Sequence, residues 1–187
     1  MKTTLIKNAR IVNEGTVKAA DLRIQGQRIS QIANELSATI YDNVIDACGN
    51  YLLPGMIDDQ VHFREPGLTH KGSIASESRA AVAGGITSFM EMPNVNPATL
   101  SLDALEDKYA LAAQKSVASF SFYLGASNNN LDEIKNLGPN QACGVKVFMG
   151  ASTGNLLVDR LESLEGSLLN KCNPAIKKKV IVMRYYR

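Results

Sequence analysis

The chain has 187 residues, of which 45% are hydrophobic and 20% charged, and its formal net charge is +2. These values are typical of a soluble globular protein and exclude a collagen-like, mucin-like or largely disordered chain. No apolar run approaches the roughly 18 residues of a membrane-spanning helix, and no secretory signal is recognisable. We therefore expect a cytoplasmic protein without a membrane partner. The length is also below the ~250 residues of a complete (β/α)₈ barrel.

The charge is unevenly distributed. Residues 1–159 carry a net charge of −3, whereas residues 160–187 carry +5. A basic tail can bind nucleic acid, but this one lacks an RNA-recognition motif, zinc-finger spacing and heptads, which favours a solvated or aberrant tail and no nucleic-acid partner. The three cysteines form no CxxC pair, so we expect them to be small buried side chains in a reducing compartment: Cys48, Cys143 and Cys172.

The first fifty or so residues read as a small all-β unit. Alternating apolar and polar residues on both sides of Gly26-Gln27 predict a hairpin. The predicted strands are 3–12, 20–25, 28–33, 43–46 and 51–53.

After Pro54-Gly55 the pattern changes to strands that alternate with helices, which predicts βαβ units and a parallel sheet. The predicted strands are 56–62, 86–92, 117–124 and 142–149. The predicted helices are 73–84, which ends at the Gly84-Gly85 signal, 101–116, and 130–137 with Asn130 as a possible cap.

Unusual polar groups stand where these strands end, the position at which parallel βα proteins gather reactive side chains. Alternation along the first strand would place residues 58, 60, 62 and 64 on one face. His62 beside Asp58 suits a metal site, and Arg64 suits a carboxylate substrate. A satisfied structural histidine is the alternative, and the pattern alone favours it.

Lys146 lies within the apolar strand 142–149. Burial would lower the pKa of its amine, which could then form a Schiff base or react with CO₂ to give a metal-binding carbamate. Alternatively, the strand has two different faces and the ammonium reaches solvent. The residues alone leave these two interpretations open.

Three segments together resemble bacterial dihydroorotases, cyclic-amide hydrolases of the amidohydrolase superfamily. They are LLPGMIDDQVHFREPGLTHK, ESRAAVAGGITSFMEMPNVNPAT and GVKVFMGASTGNLLVD, and the resemblance covers residues 1 to about 159. It implies an α/β fold, namely part of a TIM-like (β/α) barrel with about four parallel strands, preceded by a small β-sandwich portion. The implied domains are 1–54, 55–159 and an aberrant basic tail, 160–187.

The resemblance also assigns roles to individual residues. His62 matches a zinc ligand, and Lys146 matches the lysine that is carboxylated in several branches of the family and bridges two metals there. Gln60 stands where the family has its first histidine, which puts one metal position in doubt because an amide is a poorer zinc ligand than imidazole. The implied substrate-binding residues are Arg64 and Asn94, for the substrate carboxylate, and Asn173, within an Asn-Pro segment that helps to bind the pyrimidine ring.

The implied reaction is the reversible conversion of N-carbamoyl-aspartate to dihydroorotate in pyrimidine biosynthesis, with zinc as cofactor. The family's catalytic aspartate and two later histidines have no counterpart here, and after Asp159 the sequence leaves the family's order. This pattern indicates an internal deletion or gene-model join, so we expect little or no activity from the chain. The alternatives are a dihydropyrimidinase, hydantoinase or allantoinase, or a non-catalytic homologue that binds a partner such as a carbamoyltransferase. A homo-oligomer is also possible.

Overall fold

The computed structural model describes residues 3–150, 156–169 and 179–183. Asn173 and Cys172 lie outside these ranges. The chain divides into two compact units, Met1–Pro54 and Gly55–Arg187. Across the described ranges, every helix is too short or too polar to cross a membrane.

The first unit is a single five-stranded sheet in its described part. Antiparallel hairpins join β1, β2 and β3, and the shorter β4 and β5 pair parallel with β1. The hairpin around Gly26 is confirmed. The second strand begins at Thr16 rather than residue 20, because pairing with β1 extends it. The strands are β1 (Thr3–Asn13), β2 (Thr16–Gln25), β3 (Arg28–Ala33), β4 (Asp42–Asp46) and β5 (Tyr51–Leu52).

The second unit is built on a parallel sheet in the order β10-β9-β8-β7-β6, with helices between the strands. This sequential βα order confirms the partial barrel. The strands are β6 (Met56–Val61), β7 (Ile86–Glu91), β8 (Ser119–Gly125), β9 (Gly144–Phe148) and β10 (Lys179–Met183). The helices are α1 (Ile74–Ala83), α2 (Leu102–Lys115), α3 (Leu131–Asn136) and α4 (Leu161–Leu169).

The sheet has five parallel strands where the sequence predicted about four. The additional strand, β10, comes from the segment interpreted as a tail, and it pairs with β9 from Lys179↔Gly144 to Met183↔Phe148. A run of β-branched residues favours a strand at this place. The helix α4 was also missing from the prediction.

Local capping signals set the ends of the helices. Ser73 caps α1 through a capping box with Ser76, and α1 ends at Gly84 as predicted. At α3, Asn130 is the N-cap residue as predicted, but its side chain makes no capping hydrogen bond. Its carboxamide donates instead to the carbonyls of Leu100 and Gly125, and so ties two loops together.

The core of the second unit lies between the parallel sheet and its helices. Phe89 and Phe122 of the sheet and Leu105 and Ala112 of α2 are all buried. All five residues of β9 are buried, as expected for a parallel strand that is covered on both faces.

Two predictions about single side chains are wrong. The strand β6 ends at Val61, so His62 and Arg64 belong to the following loop, and strand alternation does not extend to them. Cys48 is exposed in a turn of the first unit with a positive φ of 50°, and Cys143 is half-buried.

Candidate functional site

The loop that follows β6 has an unusual backbone conformation at Arg64. Its φ is +71°, in the left-handed region that residues with a Cβ adopt only at a cost. The Arg64 N–H donates to Oε1 of Glu91, the last residue of β7, over 3.0 Å. This contact ties the backbone of Arg64 to the end of β7.

Three of the sequence-predicted residues meet at the ends of β6 and β7. The Nδ1 of His62 lies 2.9 Å from Oδ1 of Asn94, and an Nη1 N–H of Arg64 donates to the Asn94 carbonyl over 3.3 Å. Asn94 follows the second of these parallel neighbours, so sheet topology alone brings the two loops together.

The environment of His62 favours the neutral imidazole. Partial shielding from water lowers the pKa of His62, although the residue as a whole is exposed, and the positive charge of Arg64 lowers it further. The hydrogen bond with Asn94 acts in the opposite direction. A neutral imidazole is the form that binds metals.

Lys146 is the most isolated charged side chain of the described core. It is fully buried, at 0% exposure, and its Nζ has no hydrogen-bond partner within the described residues. The amine lies 5.0 Å from the centre of the Phe148 ring, and burial lowers the pKa of Lys146. The alternative in which the ammonium reaches solvent is therefore wrong, and burial shifts the amine toward its neutral form.

Within the described part of the chain, the zinc site that the resemblance implied is incomplete. Gln60 is an exposed residue, and its N–H donates to the Asp58 carboxylate over 3.1 Å. The described ranges hold no group of three or more His, Cys, Asp or Glu residues placed to bind a metal. A catalytic zinc takes three protein ligands, so His62 and Lys146 by themselves do not suffice to bind it.

Sequence reasoning missed a buried ion pair beneath this site. Lys108 of α2 lies 3.1 Å from Oε2 of Glu91, and both side chains are almost completely buried. Burial raises the pKa of Glu91 and lowers that of Lys108, while their mutual attraction opposes both shifts. In the sequence Lys108 looks like a solvated helix residue, and only its four-residue spacing from the buried Ala112 gave a hint of its inward position.

Comparison with known proteins shows the family of this chain. Residues 49–133 match the family model described as Dihydro-orotase-like. A dihydroorotase from Methanosarcina acetivorans is 38% identical over 165 residues, which is 87% of this chain and 35% of the relative. This chain is a dihydroorotase-like protein of the amidohydrolase superfamily.

Other relatives of this dihydroorotase-like chain carry different names. An allantoinase from Deinococcus radiodurans is 36% identical over 149 residues, covering 79% of the chain and 33% of the relative. Among solved structures, an L-hydantoinase (dihydropyrimidinase) from Arthrobacter aurescens superposes with a TM-score of 0.87 at 28% identity. That match covers 97% of this chain and 40% of the other. The chain therefore spans about a third of the length of the curated relatives that it matches.

Proposed function

We propose that the whole protein is a cyclic-amide hydrolase of the dihydroorotase type, which interconverts N-carbamoyl-aspartate and dihydroorotate in cytoplasmic pyrimidine biosynthesis. The family match and the relatives support the class of enzyme. The choice of substrate rests on the contacts of Asn94 with His62 and Arg64 at the ends of β6 and β7.

Arg64 supplies the recognition of a substrate carboxylate. A guanidinium presents its N–H groups as a planar fork that matches a carboxylate, and only Nη1 of Arg64 is engaged with the Asn94 carbonyl. Arg64 is half-buried, so a carboxylate can reach the guanidinium from solvent while water competes less than at an open surface. Dihydroorotate and N-carbamoyl-aspartate both carry such a carboxylate.

We further propose that these 187 residues bind the substrate but turn it over slowly or not at all. The sequence contains two histidines, and His70 is exposed in a loop, which leaves His62 as the candidate imidazole ligand. Zinc is the metal that we propose for the complete site of the whole protein. His62 and a carboxylated Lys146 would contribute to it there. Asn173 stays a proposed contact to the pyrimidine ring.

A hydantoinase or allantoinase activity is the second candidate, favoured by the names of the superposed structure and of one relative. The hydantoin ring has no carboxylate, so its recognition does not require Arg64. Dependence of binding on Arg64 therefore separates the two candidates.

The test is a calorimetric titration of the 187-residue chain with N-carbamoyl-aspartate, hydantoin and allantoin. We expect N-carbamoyl-aspartate to bind, and R64M to weaken it by about ten- to a hundredfold, the range for loss of a charged hydrogen bond. The matched control R79M removes an exposed arginine of α1 and should leave affinity unchanged. Hydantoin binding that survives R64M would favour the second candidate, and rapid turnover would overturn the expectation of low activity.

A further inference from the structure

The buried pair of Glu91 and Lys108 connects three elements of the second unit. Glu91 ends β7, and its Oε2 lies 3.1 Å from Nζ of Lys108 in α2. Lys108 also donates to the carbonyl of Met92 over 3.2 Å and lies 4.9 Å from the centre of the Phe122 ring in β8. The two charges therefore join the end of β7 to α2 above the aromatic core.

The other oxygen of Glu91 faces the loop that carries the candidate ligands. Its Oε1 accepts the Arg64 N–H over 3.0 Å, which ties the loop to the end of β7. Arg64 also has a positive φ, so the residue whose N–H this carboxylate accepts is the one with the unusual backbone conformation. An acceptor at this position thus stabilises a backbone conformation that Arg64 would not adopt by itself.

Stability does not explain why charges occupy this position. A buried ion pair can often be replaced by apolar side chains of similar volume without loss of stability, because removing both ions from water is costly. What an apolar pair cannot do is accept the Arg64 N–H. The carboxylate supplies that acceptor, and the ammonium compensates its charge while holding the carbonyl two residues before Asn94.

We propose that Glu91 and Lys108 are positioning residues: Glu91 holds Arg64 in the left-handed conformation, and Lys108 holds Glu91 and the end of β7. Together they place the Arg64 guanidinium beside Asn94. The inference rests on the proposed function, since it deepens the role given there to Arg64 in carboxylate binding.

Two matched double variants separate positioning from packing. E91L/K108M replaces the pair with apolar side chains of similar size and removes the acceptor. E91Q/K108M also removes both charges but keeps a carboxamide oxygen that can accept the Arg64 N–H. Both lose the Lys108 contact to Met92, so the two variants differ only in the side chain at position 91, and the exchange of the Arg64 amide reports on the acceptor.

Three measurements are made on the full chain: the urea unfolding midpoint, the exchange protection of the Arg64 amide by NMR, and the affinity for N-carbamoyl-aspartate. We expect E91L/K108M to be at least as stable as E91Q/K108M. Its Arg64 amide should nevertheless exchange about ten- to a hundredfold faster, and its affinity should fall by a similar factor, because the hydrogen bond to Glu91 is lost. E91Q/K108M should keep most of the Arg64 amide protection and most of the affinity for N-carbamoyl-aspartate.

The proposal is overturned if E91L/K108M retains the Arg64 protection of E91Q/K108M, or if affinity follows the unfolding midpoint across the variants. The wild-type chain offers a check that needs no variant, since an Arg64 amide that exchanges at the rate of an unstructured residue also overturns it. If none of the proteins binds N-carbamoyl-aspartate, the proposed binding of this substrate by the 187 residues is wrong. The protection of Arg64 then still decides the positioning role.

Discussion

The Nδ1 of His62 lies 2.9 Å from Oδ1 of Asn94, although 32 positions separate the two residues along the chain. A carboxamide oxygen can only accept a hydrogen bond, so His62 donates through Nδ1. Its Nε2 is then left as the unprotonated nitrogen, with a lone pair available to a metal or a proton. One contact between neighbouring strand ends therefore sets the tautomer of the candidate ligand.

We expect ¹⁵N NMR of the histidine ring to show the Nδ1–H tautomer of His62 at neutral pH. The variant N94L removes the acceptor and should shift the population toward the Nε2–H form, which is the commoner tautomer of free imidazole side chains. The exposed His70 serves as the internal control, because the substitution should not change its signals. An unchanged His62 spectrum in N94L would show that Asn94 does not set the tautomer.

Replacing Lys146 with methionine should stabilise the metal-free chain. The amine is fully buried and has no hydrogen-bond partner in the described part of the chain. A buried polar group without a partner costs about 1–3 kcal/mol, which K146M recovers. The measurement is the free energy of unfolding in urea. The control K135M changes an exposed lysine of α3 and should alter it by no more than about 0.5 kcal/mol.

The buried Lys146 should also make the stability of the folded chain depend on pH. Because burial lowers the pKa of Lys146 in the folded state, the unfolded state binds more protons between that lowered pKa and the ordinary lysine value. The stability of the wild-type chain relative to K146M should therefore rise with pH across this window. Below the lowered pKa the penalty is fully present, and a difference that is independent of pH would contradict the buried position of the amine.

Two loops approach each other so closely at position 67 that only a glycine fits there. The φ of Gly67 is +78°, and a Cβ placed on it would lie 1.8 Å from the carbonyl oxygen of Asn96. Gly85 has a similar φ of +88° but nothing within 4 Å of its Cβ position, so it is a matched control in the same unit. We expect G85A to cost about 1–2 kcal/mol and G67A about 1–3 kcal/mol more in urea unfolding. Equal losses would show that the Asn96 loop moves away freely.

Asp21 should make the first unit sensitive to acid. Its carboxylate accepts the N–H groups of Leu36 and Asn8, which lower the pKa of Asp21 in that order of importance. Its stabilising effect is therefore present above the ordinary aspartate pKa and is lost as the pH falls through the lowered value. We expect D21N to be less stable at neutral pH and less dependent on pH in acid.

The measurement for Asp21 is urea unfolding followed through NMR signals of β1 and β2 over a range of acidic pH. E35Q removes an exposed carboxylate of the same unit and should reproduce the wild-type profile. A D21N profile that falls as steeply as that of the wild type would assign the acid sensitivity to other groups.

Several features of this protein could be predicted from the sequence because they depend on local patterns. Alternation and turn residues predicted the hairpin around Gly26, and Ser73 and Gly84 marked the ends of α1. The alternation of strands and helices is sufficient to predict a parallel sheet, and a parallel sheet places the ends of β6 and β7 side by side. The proximity of His62 and Asn94 can therefore be predicted from the sequence.

Other features were decided only by the tertiary structure, because they depend on contacts between distant segments. Arg64 adopts a left-handed backbone because Glu91 offers an acceptor there, and no property of the β6 loop alone predicts it. Lys108 is buried because α2 turns that face toward the end of β7. The sequence left open whether the Lys146 amine is buried or reaches solvent, and the burial of all five residues of β9 decides it. Sequence patterns determine which residues come near one another, whereas burial and the exact partners determine their charge state and direction.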